Sequence, residues 1–307
     1  MADITATRIN NLHEKIKLVL GVGAGQNGYG QVLVSSPVSN LGDIASAEDV
    51  NNIYADVLKA RIHQVGVGDI GIAEVIQNLN TIALDTSNFV DDDGITTPDP
   101  EGNKKGIVDF ENLMSSVEID KFLMHPSQAA LEPAINSVRT ATWNGLIKHQ
   151  VIVTFTDENE RRYFFNTGGE IRISANNTSA STPKGLDWAE VCSQVGIVSF
   201  SANNTQSTQG GAQSIGNYTL TSSDQTVYQK IGGGTYSTVY AGNIYTIKAR
   251  SESDNTIIFT VEFNDVVFDN NVDNNVDGRL ESTFQHYRAS ADVDVAAPAY
   301  FNQITLA

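Results

Sequence analysis

The hydrophobic pattern of this chain changes period partway along, and that change constrains the fold more than any other feature. Between Thr5 and Leu20 the apolar residues Ile9, Leu12, Ile16, Val19 and Leu20 share one stripe at helical spacing, and Gly21 is placed to end it. This predicts an amphipathic helix of about four turns. Val50, Ile53, Tyr54, Val57, Leu58 and Ile62 form a second stripe before Gly66, and Ser46-Ala-Glu-Asp49 ahead of it resembles a capping box with Asp in place of Glu. A third helix is expected from Ala73 to Leu84, and a fourth from Phe110 to Leu123, capped by Asp109.

From about Val138 the period becomes two. Val151, Val153 and Phe155 alternate with Ile152 and Thr154, and strand-like runs follow at YFF (163–165), EIRIS (170–174), IVSFS (197–201), TVYQK (226–230), YTIKA (245–249), TIIFTVEF (256–263) and RLESTF (279–284). Runs of that number and spacing predict an antiparallel sandwich, interrupted by one short helix from Trp188 to Val195. The expected architecture is α+β with two domains: a mainly helical N-terminal domain, residues 1–137, then an all-β antiparallel sandwich, residues 138–307. A chain of 307 residues is long enough for both. The stretch DDDGITTPDPEGNKKG (91–106) has almost no apolar content and is expected to be a solvated loop.

Charge narrows the partners. A formal net charge of -17 would repel phosphate backbones and anionic membranes, and no basic patch offsets it, so neither nucleic-acid binding nor membrane insertion is expected. No apolar run approaches the roughly 18 residues that span a bilayer. The segment KLVLGVGAG is too short and Gly-rich for an export signal. Cys192 is the only cysteine, which leaves no thiolate cluster to bind a metal.

Gly23-x-Gly25-x-x-Gly28 has the spacing of a dinucleotide fingerprint, but its flanks are reversed. That fingerprint needs a strand before the glycines and a helix after them. Here a helix precedes them and an extended segment, QVLVS (31–35), follows, so a phosphate would face the negative end of the helix dipole. The glycines read as a tight turn, and no cofactor is expected.

The run DNNVDNNVDG (269–278) places Asp269, Asp273 and Asp277 four apart, a candidate calcium loop. Phe284 stands where an EF-hand would carry its bidentate Glu, so a polar turn is the competing reading and the expected metal set is otherwise empty. The five histidines show no ligand spacing, and neither a GxSxG elbow nor a base for Cys192 is visible. No catalytic residue and no enzymatic activity are expected. Tyr29, beside the Gly-rich turn, and Tyr228, Tyr236, Tyr240 and Tyr245, around Gly232-Gly233-Gly234, are the interface candidates; the latter four could stack on sugars.

Three sets of residues carry a family resemblance. GAGQNGYGQ (23–31) leads to VNNIYADVLKARIHQVG (50–66); RRYFFNTGGEIRISANNT (161–178) leads to DWAEVCSQVG (187–196); VEFNDV (261–266) leads to NNVDGRLESTF (274–284). In their order they resemble virion structural proteins of contractile-tailed phages of cyanobacteria and other marine bacteria. The resemblance implies a tail-associated part, whether fibre, baseplate or neck, that assembles with other virion proteins and with copies of itself. A carbohydrate-binding adhesin contacting host glycans is the alternative.

Overall fold

The computed structural model describes residues 6–38, 47–66, 107–267 and 275–306. The expected helix at 73–84, the acidic stretch 91–106, Ser46, Asp269 and Asp273 all lie outside the described residues. The chain divides into two compact units, the first comprising Met1–Ala130, Asn166–Gly168 and Ala289–Val295, the second Leu131–Phe165, Gly169–Arg288 and Ala296–Ala307.

The first unit contains helices α1 (Ala6–Val19), α2 (Ala47–Val65) and α3 (Ile107–Ile119). The stripe of α1 is buried as its spacing requires: Ile9, Leu12, Ile16, Val19 and Leu20 are all inside. Helix α3 begins before Asp109, so that residue lies within the helix rather than capping it, and its hydrogen-bond ladder ends near Asp120 instead of Leu123. Pairs Arg8–Glu111 at 2.9 Å and Lys15–Glu118 at 3.0 Å join α1 to α3 along their length.

Between α1 and α2 the chain turns at the glycines and leaves as an extended arm that pairs with no strand among the described residues. The Asp56 carboxylate of α2 holds that arm, accepting from Val34 N–H at 3.1 Å, Ser35 N–H at 2.9 Å and the Ser35 hydroxyl at 2.6 Å. The turn itself is fixed by Asn166, whose amide donates to Gly25 O at 3.3 Å and Gly28 O at 3.1 Å. Gly23 and Gly28 sit at φ 41° and 95°, and a β-carbon on Gly28 would strike the Val22 carbonyl.

The second unit holds two five-stranded antiparallel sheets. Its strands are β1 (Ala129–Arg139), β2 (Leu146–Thr154), β3 (Glu170–Thr178), β4 (Val198–Phe200), β5 (Thr205–Ser207), β6 (Gln225–Ile231), β7 (Ile244–Ser253), β8 (Thr256–Asn264), β9 (Arg279–Ala289) and β10 (Ala299–Leu306). One sheet runs β1-β9-β3-β4-β5 and the other β10-β2-β8-β7-β6. Their inner faces meet: His149 on β2 hydrogen-bonds Ser282 on β9 at 2.8 Å, and Phe259 on β8 lies 5.1 Å from Phe200 on β4. Strand β2 alternates buried Ile147, His149, Val151 and Val153 with partly exposed neighbours, the period-two pattern of a half-buried strand.

The second unit is mixed rather than all-β. The run YFF, expected as a strand, lies in helix α4 (Glu158–Asn166), which Asp157 caps by accepting the Glu160 N–H at 2.9 Å. Its Phe164 and Phe165 still enter the core, with ring centroids 5.0 Å apart. Arg161 on the same helix is buried and donates to Asn217 Oδ1 at 2.7 Å, Ser251 Oγ at 2.8 Å and Ser253 O at 2.9 Å. Helix α5 (Pro183–Val195) is the expected short helix, one turn and more longer at its start, and a single turn α6 (Ser237–Tyr240) follows β6.

Candidate functional site

A polar cluster gathers around the first turns of α5. Thr182 caps that helix, accepting the Gly185 N–H at 3.1 Å, and Pro183 takes the first position, where no donor is needed. Asp277, from the loop before β9, reaches across the same end. It accepts the Ser181 hydroxyl at 2.6 Å and N–H at 2.9 Å, and the Thr182 hydroxyl at 2.6 Å and N–H at 3.1 Å. Burial opposes its charge, but these hydrogen bonds outweigh it and hold the carboxyl down at about 2. Asn177 on β3 completes the joint, donating to Gly185 O and Asp277 O, each at 3.0 Å.

Deeper along α5, Lys184, Asp187 and Trp188 turn inward and are all fully buried. Lys184 Nζ lies 2.7 Å from Asp265 Oδ2, just beyond β8, with both side chains fully covered. Asn243, also fully buried, stands between α6 and β7. Its amide orientation follows from its neighbours: the nitrogen donates to Asp265 Oδ1 at 3.0 Å, and the oxygen accepts the Trp188 indole N–H at 3.2 Å. The Trp188 ring packs 5.4 Å from Trp143 and 5.8 Å from Phe263, and the Tyr240 ring lies 5.9 Å from Lys184 Nζ.

Asp187 Oδ1 accepts the Tyr236 N–H at 2.9 Å. Burial pushes its carboxyl up; the Tyr236 N–H opposes that shift, and the charges of Asp265 and Glu190 add to it. Taking charges out of water is costly, and an ion pair as buried as Lys184–Asp265 contributes little net stability over an apolar pair of the same volume. Lys184, Asp265 and Asn243 were not anticipated from sequence because each is an isolated polar residue there; only the stretches DWAEVC and VEFNDV, set apart by the resemblance, mark their neighbourhood.

Four of the five interface tyrosines lie inside the fold, which corrects their expected exposure. Tyr29 is buried and donates its hydroxyl to Lys121 O at 2.6 Å while accepting Gln64 Nε2–H at 3.1 Å. Tyr228 and Tyr245 pack on each other at 6.0 Å, Tyr245 packs on Phe263 at 5.2 Å, and Tyr240 covers Lys184. Tyr228 and Tyr245 stand at strand positions that face the core, and the glycines between those strands do not change that. Tyr236 alone is exposed, at 38%. The stacking surface for sugars built on these tyrosines is therefore absent from residues 228–245 as a group.

Of the candidate calcium ligands, Asp277 is committed to Ser181 and Thr182, while Asp269 and Asp273 lie outside the described residues. Among the described residues no group of three or more His, Cys, Asp or Glu is arranged to hold a metal. The Gly-rich turn follows the C-terminus of α1, and its carbonyls at Gly25 and Gly28 are taken by Asn166. Cys192 is buried, and burial pushes its thiol up to about 12. Comparison of the chain with protein-family models, with curated proteins and with solved structures found no match.

Proposed function

We propose that this chain is a tail-associated structural protein of a phage virion, a part of its fibre, baseplate or neck, acting through protein–protein assembly and in several copies rather than through catalysis. In this reading the first unit, with helices α1 to α3, docks on the particle, and the second unit, with its two antiparallel sheets, faces outward or bridges neighbours.

One observation carries the reading: the stretches that resemble virion proteins supply the polar joints of the fold. In the first unit Gly25, Gly28 and Tyr29 from GAGQNGYGQ meet Gln64 of ARIHQVG and Asn166 of FNTGG, and His63 bonds Thr167 O at 2.9 Å. In the second, Asn177, Asp187, Trp188, Asp265 and Asp277 come from the remaining stretches and meet around α5. Residues placed at such joints hold the shape of the fold, which is the requirement on a particle subunit. The first unit also exposes Val22 at 62%, Val32 at 89% and Val34 at 62% along the Gly-rich turn and its arm, apolar surface suited to docking.

Proteomics of purified particles whose genome encodes this chain tests the proposal. The chain should copurify with intact tails, and a Val32→Asp/Val34→Asp double variant should fold normally yet be missing from them. A chain present in infected cells but absent from purified particles would overturn it.

A further inference from the structure

Lys184, Asn243 and Asp265 place an amine, a carboxamide and a carboxylate together inside the second unit, each side chain fully buried. Asp265 is shared: Oδ2 lies 2.7 Å from Lys184 Nζ, and Oδ1 lies 3.0 Å from the Asn243 amide nitrogen. The Asn243 carbonyl oxygen in turn accepts the Trp188 indole N–H at 3.2 Å. A nucleophile, a proton carrier, an electrophile and an oxyanion donor are thus assembled beneath the rings of Trp188 and Tyr240.

We propose that this cluster makes an intramolecular isopeptide bond between Lys184 Nζ and Asn243 Cγ, with Asp265 carrying the protons. Asp265 first takes a proton from the lysine ammonium, which frees the nitrogen lone pair to attack Asn243 Cγ. The carbonyl π pair moves onto the Asn243 oxygen, where the Trp188 N–H stabilises the developing charge. The oxyanion pair then re-forms the carbonyl as the Cγ–Nδ2 bond breaks and the departing nitrogen takes a proton from Asp265; the lysine nitrogen gives its second proton to the same carboxylate, which passes it on to the released ammonia. Lysine ammonium and carboxamide become a secondary amide and ammonium, Asp265 returns to a carboxylate, and no oxidant or cofactor enters.

An amide and an amine are inert toward each other in water. Here Asp265 holds the lysine nitrogen and the Asn243 amide on its two oxygens and burial excludes solvent, the conditions that make such a pair reactive once the protein is folded. The bond would tie the first turn of α5 to the entry of β7, and it gives the buried ion pair a purpose that its own energetics do not. This inference goes beyond the virion reading and stands independently of it.

Intact mass spectrometry of the full folded chain decides the matter. The expected mass lies below the sequence mass by one ammonia, about 17 Da, and peptide mapping should find a branched peptide joining the segments that hold Lys184 and Asn243. The branch matters because a succinimide at some other asparagine loses the same mass without one. Lys184→Met, Asn243→Ala and Asp265→Asn should each restore the unmodified mass. A wild-type chain with the full sequence mass and no branched peptide would overturn the proposal whether or not the variants fold, and a branched peptide persisting in Asp265→Asn would overturn the part given to Asp265.

Discussion

Asp277 and Thr182 are joined twice: the carboxylate accepts the threonine hydroxyl at 2.6 Å and its backbone N–H at 3.1 Å. Thr182 is itself the cap of α5, so a residue from the loop before β9 sets the start of a helix that lies far from it in sequence. With Ser181 engaged in the same way, the negative charge sits at the positive end of the helix dipole.

Replacing Asp277 with Ala should therefore cost about 2 kcal/mol, the range for hydrogen bonds to a charged group at a partly exposed site. Its carboxyl is depressed in the folded chain from 3.8 to about 2, so the stabilisation is present above pH 3.8 and is lost as pH falls toward 2. Urea unfolding of wild type and Asp277→Ala at neutral pH should differ in midpoint, and the two curves should converge at the acid end. An unchanged midpoint at neutral pH would contradict this role.

The glycines of the first turn should differ in their tolerance of a side chain. Gly25 has φ 56° with open space where a β-carbon would go, so Gly25→Ala should cost about 1 to 2 kcal/mol from the left-handed backbone alone. Gly28 has φ 95° and the carbonyls of Val22 and Gly21 in contact, so Gly28→Ala should cost about 3 kcal/mol or more. Thermal melts would order the two. Added nucleotide should shift neither wild type nor variant, since the preceding helix presents its negative end to the turn.

Two buried histidines make the fold sensitive to mild acid. Burial pushes His63 down to about 4, with the Thr167 carbonyl opposing, and pushes His149 to about 4, with the charge of Arg139 adding. The unfolded chain takes up these protons near 6.5 and the folded chain does not, so stability should fall as pH drops from 6.5 toward 4. The loss should reach about 3 kcal/mol per histidine at most. His149→Gln should flatten the slope of unfolding free energy against pH in that window, and a slope unchanged by the substitution would refute the assignment.

Periodicity made the helices of the first unit and most strands of the second legible, because burial on one face repeats at the spacing of the backbone. It failed where composition competes with context. Three aromatics in a row at Tyr163, Phe164 and Phe165 imitate a strand, yet Asp157 starts a helix ahead of them and Gly168-Gly169 ends it. Strands β1 and β10 were missed: Pro133 and Asn136 interrupt one, and Asn302 and Gln303 the other, and both are edge strands, where fewer positions need to be apolar. The cluster of Lys184, Asn243 and Asp265 is tertiary in origin. No local spacing links them, so nothing in the chain order announces that they meet.

Cryo-electron microscopy of the assembled particle would locate this chain. Density for this chain should lie in the tail, baseplate or neck, in symmetry-related copies, with the arm bearing Val32 and Val34 packed against a neighbouring subunit. A complete map of the particle in which every tail, baseplate and neck density is traced to other chains would contradict it.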